Sequence, residues 1–358
     1  MIRFSIHNQT ELKALLAENK IPAFRYGQIE NAIYKNFITN FDEIQTIPKD
    51  LRELLKENCF YQSLEVEHQA TSKNDQTSKF LFKTTDDLLI EAVLMRHLSG
   101  RNTLCISCQA GCPMACTFCA TGKLGLQKNL PLYEIIEQVM YAAKLVNDEG
   151  SRLRNVVFMG MGEPMLNYDV MKQAIYMFTD QKKFDLSNRR VTVSTCGIVP
   201  GINKFTEDFP QTSLAISLHA PNDEIRKSIM PVDHTYDIEA LMASLDNYTD
   251  KTNKRIFYEY IMINGVNDHL KLADELGKLL EGRLAHVNFI PYNAGEGTSS
   301  DGYTTTPRFI IEKFQKILQK YGVVSTIRAT MGDDIDAACG QLARKKKDEQ
   351  NEIEKTQD

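Results

Sequence analysis

Hydrophobic positions follow three successive spacings along this chain. Over residues 1–60 they recur at helical intervals. Leu12, Leu15 and Leu16 follow Thr10, a candidate N-cap, and Pro22 stands just beyond. That punctuation predicts a short amphipathic helix. The stretch FRYGQIENAIYKNF and the residues Leu51, Leu54 and Leu55 repeat the helical period, so this part reads as a small helical module. Residues 61–98 differ. SLEVEHQAT, SKFLFKT and LLIEAVLM are short alternating or β-branched runs with polar breaks, the pattern of a β connector.

From residue 99 onward, strand-like and helix-like runs alternate. Apolar runs fall at Leu104–Ile106, Val156–Phe158, Val191–Val193, Leu214–Ser217, Ile256–Met262 and Val287–Ile290, with VVSTI at 323–327 as a candidate seventh. Helical patterns lie between them, such as Leu132, Ile135, Ile136, Val139, Met140 and Ala143. Buried strands alternating with helices predict an α/β fold with a parallel sheet. Six repeats suit a partial (β/α)6-type barrel, in which chemistry sits at the C-terminal ends of the strands. The core then spans 99–343. The polar tail 344–358 is expected to be frayed or disordered.

Composition changes this picture little. The chain has 358 residues, 42% hydrophobic and 25% charged, ordinary for a globular protein. No apolar run approaches the ~18 residues of a membrane span. The N-terminus lacks the order of a signal peptide, so a cytoplasmic address is expected. The net charge of −5 argues mildly against a nucleic-acid partner. An RNA substrate would need local basic patches. Candidates are Arg189–Arg190, Lys254–Arg255, Arg226–Lys227 and Arg344–Lys347, each of which alone reads as solvated charge.

The cysteines carry more. Five of the eight fall within fifteen residues, in CISCQAGCPMACTFC. A disulfide framework would spread them out, so the cluster reads as metal-binding or redox-active. Cys112, Cys116 and Cys119 form a CxxxCxxC triplet on a loop after a strand. Three thiolates fill three iron sites of a 4Fe–4S cube and leave the fourth open, whereas most such clusters take four cysteines. Zinc held by the pairs Cys105–Cys108 and Cys116–Cys119 is the alternative, although zinc pairs usually stand further apart.

Other polar residues fall where barrel logic wants them. Gly162 and Glu163 follow the strand NVVFM. Ser194 ends VTVS, Ser217 to His219 end LAIS, and Asn293 follows VNFIP. Taken singly, His219 fits a structural histidine, Cys339 a packed thiol and Glu91 a solvated strand glutamate.

Taken together, the motifs CISCQAGC, FMGMGEPMLN, STCGIVPGI, SLHAPNDEIRKSIMP, HVNFIPYN and GDDIDAACGQL resemble the RlmN/Cfr family of radical S-adenosylmethionine (SAM) RNA adenine methyltransferases. FRYGQIENAIYKN extends the likeness towards the start. Pro164 and Ala220 look more like the RlmN branch, which methylates adenine carbon 2, than the Cfr branch, which methylates carbon 8.

The resemblance implies a set of roles. Cys112, Cys116 and Cys119 would hold a 4Fe–4S cluster, shielded by Phe118. Gly162 and Glu163 would meet the amino end of SAM. Ser194, Ser217, Leu218, His219 and Asn293 would meet its carboxylate, ribose and adenine. Cys339 would carry a methyl group taken from a first SAM, and a second SAM would supply the radical. Glu91 would accept the ring proton, and Cys105 would release the RNA through a transient disulfide with Cys339. Cys108 stands where the family has serine, and Cys59 and Cys196 read as small buried residues. Implied partners are ribosomal RNA at the peptidyl-transferase centre, transfer RNA next to the anticodon, and a reductant such as flavodoxin or ferredoxin, with the enzyme a monomer. The N-terminal module would grip RNA, and the target base would leave its stack.

Overall fold

The computed structural model describes residues 3–74, 76–293, 302–329, 331–338 and 341. Two short parallel strands, β1 (Phe4–Ser5) and β2 (Cys59–Phe60), bracket three helices: α1 (Gln9–Glu18), α2 (Phe24–Tyr34) and α3 (Lys49–Asn58). Leu12, Leu15 and Leu16 form the buried face of α1. Its cap is Asn8 rather than Thr10, since the Asn8 side chain accepts from the Glu11 amide. Asparagine is the stronger N-cap of the two, and the cap falls two residues earlier than expected.

Residues 61–98 carry the antiparallel strands β3 (Glu65–Thr71), β4 (Ser78–Lys83) and β5 (Leu89–Arg96), which join the main sheet through β6 (Asn102–Cys105). After β6 come a hairpin, β7 (Gln109–Gly111) with β8 (Leu126–Asn129), and within it the short helix α4 (Ala120–Lys123).

The barrel strands follow: β9 (Leu153–Phe158), β10 (Val191–Thr195), β11 (Ser213–Ser217), β12 (Ile256–Met262), β13 (Ala285–Pro291) and β14 (Val324–Ile327). Each apolar run singled out in the sequence lies in or overlaps one strand of this sheet. The order is β14-β13-β12-β11-β10-β9-β6-β5-β4-β3, parallel from β14 to β6 and antiparallel beyond. β14 and β3 do not pair, so the barrel is open.

The crossovers carry α5 (Leu132–Asp148), α6 (Tyr168–Thr179), α7 (Val199–Asp208), α8 (Asp223–Ile229), α9 (Ile238–Thr252), α10 (Leu270–Leu280) and α11 (Arg308–Lys320). Ile135, Ile136 and Val139 of α5 are fully buried, each such side chain contributing about 1.5–3 kcal/mol. Among the described residues no helix is long and apolar enough to cross a membrane.

Candidate active site

A cavity of about 160 Å³ opens at the C-terminal ends of the strands. The three cysteines of the CxxxCxxC loop line it together with Gly162, Glu163, Ser194, Ser217 and His219.

Tight backbone contacts set the loop. The Cys112 amide donates to Gly125 O (3.0 Å) and Thr117 N to Ile229 O (3.0 Å). A side chain at Gly111, which has φ +74°, would strike Gly125 O. Phe118 is buried edge-on against the His219 ring, with centroids 4.9 Å apart. Burial pushes the Cys112 thiol up to about 12 and the Cys116 thiol up as well. Without a cation beside them these thiols stay neutral.

Among the described residues, no three His, Cys, Asp or Glu side chains gather around a single point as one metal ion requires. A tetrahedral zinc would need sulfurs roughly 3.8 Å apart. A cube takes each cysteine on a different iron, so ligands spread along one loop suit it. The donor set therefore fits a three-cysteine 4Fe–4S cluster.

Two glycines let the backbone pass. A Cβ at Gly160 would lie 2.6 Å from Ile106 O, and one at Gly162 (φ +103°) would lie 2.6 Å from Gln109 Cβ. Glu163 is fully enclosed. Its carboxylate accepts from the Met165 amide (3.0 Å) and the Cys196 amide (2.8 Å), while burial raises its pKa. It ties the end of β9 to the end of β10.

His219 is buried at φ +60°. Its Nδ1 accepts the Ile261 amide at 3.0 Å, so the ring proton sits on Nε2. Burial, with Arg226 adding, lowers its pKa to about 3, and the ring is neutral. Arg226, with no exposed surface, pairs with Asp233 (2.6 Å) and donates to the carbonyls of Leu218 (3.2 Å), Cys196 (2.5 Å) and Ser217 (3.4 Å). As part of the candidate basic patch Arg226–Lys227 it is expected at the surface, for RNA or as solvated charge; instead it is a buried clamp on the ends of β10 and β11.

Other expected residues sit differently. Leu218 is fully buried and offers its carbonyl to Arg226 rather than a surface to the cavity. Asn293 lies two residues beyond β13 and does not line the cavity. Cys105 and Glu91 do not line it either, but the strand register relates them to each other. Cys105 pairs with Val93 and with Val157, and Glu91 stands two residues from Val93, so side-chain alternation puts Glu91 and Cys105 on one face of the sheet. The same register carries that face from Val157 through Thr192 to Ser194.

Glu91 is buried, with Lys79 Nζ 3.8 Å from its Oε1. Burial lifts its carboxyl to about 7 against the pull of Lys79, with Asp336 adding to the rise. Lys79 also donates to Asp336 O at 3.2 Å, which draws the segment 332–338 to this edge of the sheet. Cys339 lies outside the described residues. Ala338 and Gln341, near it in the chain, are buried, and the Ala338 amide donates to Gln341 Oε1 at 2.9 Å.

Cys108 is buried against Met161 O and burial pushes its thiol well up, an inert setting away from the cavity. Cys59 is buried too. Cys196 is buried but does line the cavity, as do Met230, Glu259, Ile261, Ile290 and Arg328. The sequence reading missed these. Glu259 alone carried a signal, as the single carboxylate in the apolar strand IFYEYIM.

An open parallel barrel with a three-cysteine loop beside a cleft at the strand ends has the architecture of the radical SAM class, and the family model for the radical SAM superfamily matches residues 106–276. Among solved structures, a radical SAM methyltransferase from Sphaerobacter thermophilus is 38% identical, with a TM-score of 0.89 over 94% of this chain and 98% of its own. Two curated relatives are each described as a probable dual-specificity RNA methyltransferase RlmN. The one from Clostridium novyi is 43% identical over 93% of this chain and 95% of its own length. The one from Staphylococcus carnosus is 42% identical over 94% and 91%. The chain belongs to the RlmN family of radical SAM methyltransferases.

Proposed function

We propose that this protein methylates carbon 2 of adenosine in 23S ribosomal RNA and in transfer RNA next to the anticodon. One observation carries the reading: the CxxxCxxC loop shares a single cavity at the strand ends with Gly162, Glu163, Ser194, Ser217 and His219. Cys112, Cys116 and Cys119 would hold a 4Fe–4S cluster, which would supply an open iron for SAM and the electron that starts radical chemistry.

The protein's own groups do the rest. Glu163 and the glycine-lined turn receive the amino end of SAM. Ser194, Ser217 and the Nε2–H of neutral His219 present donors to its polar atoms, with Asn293 assigned to the same cofactor and Leu218 holding the strand end that carries the site. Buried Phe118 keeps water from the loop. Cys339 takes a methyl group at sulfur by displacement, the reaction a thiolate performs well. Glu91, with its carboxyl near 7, accepts the proton that leaves the adenine ring at physiological pH. The Cys339 methyl carbon would lose a hydrogen atom to the SAM-derived radical and bond to carbon 2, and the ring would give its proton to Glu91 and its unpaired electron back to the cluster. The Cys105 thiolate would then attack the Cys339 sulfur, forming the disulfide and breaking the sulfur–carbon bond, and the freed carbon would take a proton from solvent to become the methyl group; an external reductant such as flavodoxin or ferredoxin restores both thiols. The shared sheet face of Glu91 and Cys105 and the Lys79–Asp336 contact support this assignment. The helical unit of residues 1–60, the strands of 61–98 and the core of 99–343 would act as one cytoplasmic monomer.

The test is anaerobic reconstitution with iron, sulfide, SAM and a reductant, followed by unmodified ribosomal RNA and mass spectrometry of its nucleosides. 2-Methyladenosine is expected. 8-Methyladenosine would move the protein to the Cfr branch. A Cys105→Ala variant should accumulate a covalent protein–RNA adduct; normal turnover by that variant would remove Cys105 from the scheme.

A further inference from the structure

Two arginine pairs and a lysine left unused by this chemistry come together in space. Arg152 and Arg154 at the start of β9, Arg189 and Arg190 just before β10, and Lys35 after α2 line one groove of about 390 Å³. All five are exposed, and among the described residues none forms an ion pair. Lys183 also lines the groove, but Glu30 and Asp180 neutralise it. The carboxylate on the lining is that of Asp185. Such crowding of unpaired cations in a chain of net charge −5 builds a local positive field that an anion relieves. The crowding spreads to Lys254, whose pKa is lowered by burial and by the charge of Arg189.

The groove has an aromatic floor. Phe37 and Phe184 are half-buried in it, with Phe184 edge-on to Tyr34 at 5.5 Å. Guanidinium groups around aromatic rings suit an unpaired nucleotide: phosphates take the arginines and a base face takes a ring. Its place matters as well. The groove lies at the N-terminal ends of β9 and β10, and the cysteine loop lies at their C-terminal ends. The six residues of β9 separate the two by ~20 Å.

We propose that this groove is a second contact site for the substrate RNA, binding an unpaired nucleotide and its flanking phosphates about one strand length from the target adenosine. The proposal deepens the RNA-methyltransferase reading and rests on it. An acidic electron-donor protein is the weaker fit, because the groove is at the end of the barrel away from the cysteine loop.

The test uses the full chain and two variants, Arg152→Gln/Arg154→Gln and Arg189→Gln/Arg190→Gln, neither touching the cavity. Fluorescence anisotropy compares a labelled RNA stem-loop bearing a single-stranded tail with the same stem-loop lacking it, over a range of KCl. The wild type should prefer the tailed RNA by on the order of tenfold, and each variant should lose that preference. The slope of log affinity against log salt should become shallower by about 1.4, the value for two lost single-strand phosphate contacts. Unchanged melting and iron content confirm that the variants fold. Retention of tail preference and salt slope in both variants would overturn the proposal. So would unchanged RNA affinity with methylation lost only when flavodoxin, and not dithionite, is the reductant; that result assigns the groove to the electron donor. If the wild type makes no methyladenosine yet the variants still lose tail binding, the groove stands and the methylation reading falls.

Discussion

At the scale of single residues, Glu91 shows how burial makes a base. The enclosed carboxyl is lifted to about 7, and Lys79, 3.8 Å away, holds it below where burial alone would leave it. Folding therefore favours the protonated acid, and this group costs stability as pH rises from its unfolded value near 4.5 through 7. Activity has the opposite sign, since a base must be ionised. Removing the ammonium in Lys79→Met raises the Glu91 pKa further. The acid limb of the pH profile of kcat/KM should then move up by about one unit, with a several-fold loss at pH 7 and recovery at higher pH. A limb that does not move would exclude Glu91 as the titrating group. The sequence made Glu91 a candidate only through family likeness, because in LLIEAVLM it looks like any polar position of a half-buried strand. What marks it physically is Lys79, across a strand pairing no local pattern reveals. Arg226 misleads the other way: beside Lys227 it resembles surface charge, yet it is wholly buried.

At the scale of elements, two devices hold the strand ends in place. The first is the glycine turn after β9. Gly162→Ala would place a methyl 2.6 Å from Gln109 Cβ at a φ of +103°, a strain of about 1–3 kcal/mol. Equilibrium dialysis of the reconstituted enzyme should show SAM binding weakened at least tenfold while iron content is kept; wild-type affinity would mean that the turn does not shape the cleft. The second is the Arg226–Asp233 pair. Arg226→Met leaves Asp233 buried without its cation, and three carbonyls lose their donor, so unfolding free energy in urea should fall by about 3–5 kcal/mol. A loss under 1 kcal/mol would show that the clamp is replaceable. The parallel strands were legible because strands covered on both faces read as continuous apolar runs. The β7–β8 hairpin inside the cysteine segment was not, since QAG and LQKN carry no apolar alternation and owe their pairing to the loop contacts around them.

At the scale of the whole molecule, the helical N-terminal unit is joined to the core by buried polar locks rather than by apolar contact alone. Glu137 of α5 accepts from Ser63 N (2.8 Å), Ser63 Oγ (2.9 Å) and Leu64 N (2.7 Å), which fixes the chain where it leaves the helices. Lys183, nearly without exposure, pairs with Glu30 of α2 at 2.9 Å and with Asp180. Composition and periodicity separated the helical unit from the barrel, but the locks were invisible there, because Glu137 with Ser63 and Leu64, and Lys183 with Glu30, join residues more than seventy positions apart. Such pairs are expensive to break from one side, since the abandoned charge stays buried. Lys183→Met leaves Glu30 with no cation, so the helical unit should open from the core before the barrel melts. Limited proteolysis should then cut within residues 59–64 several times faster than in the wild type, while the barrel fragment stays intact. The same opening would move α2 away from the arginines of β9, so affinity for tailed RNA should fall together with protease resistance. Fast cleavage with undiminished RNA affinity would mean that the groove works without α2 as its wall; unchanged cleavage would mean that the Glu137 contacts alone hold the unit in place.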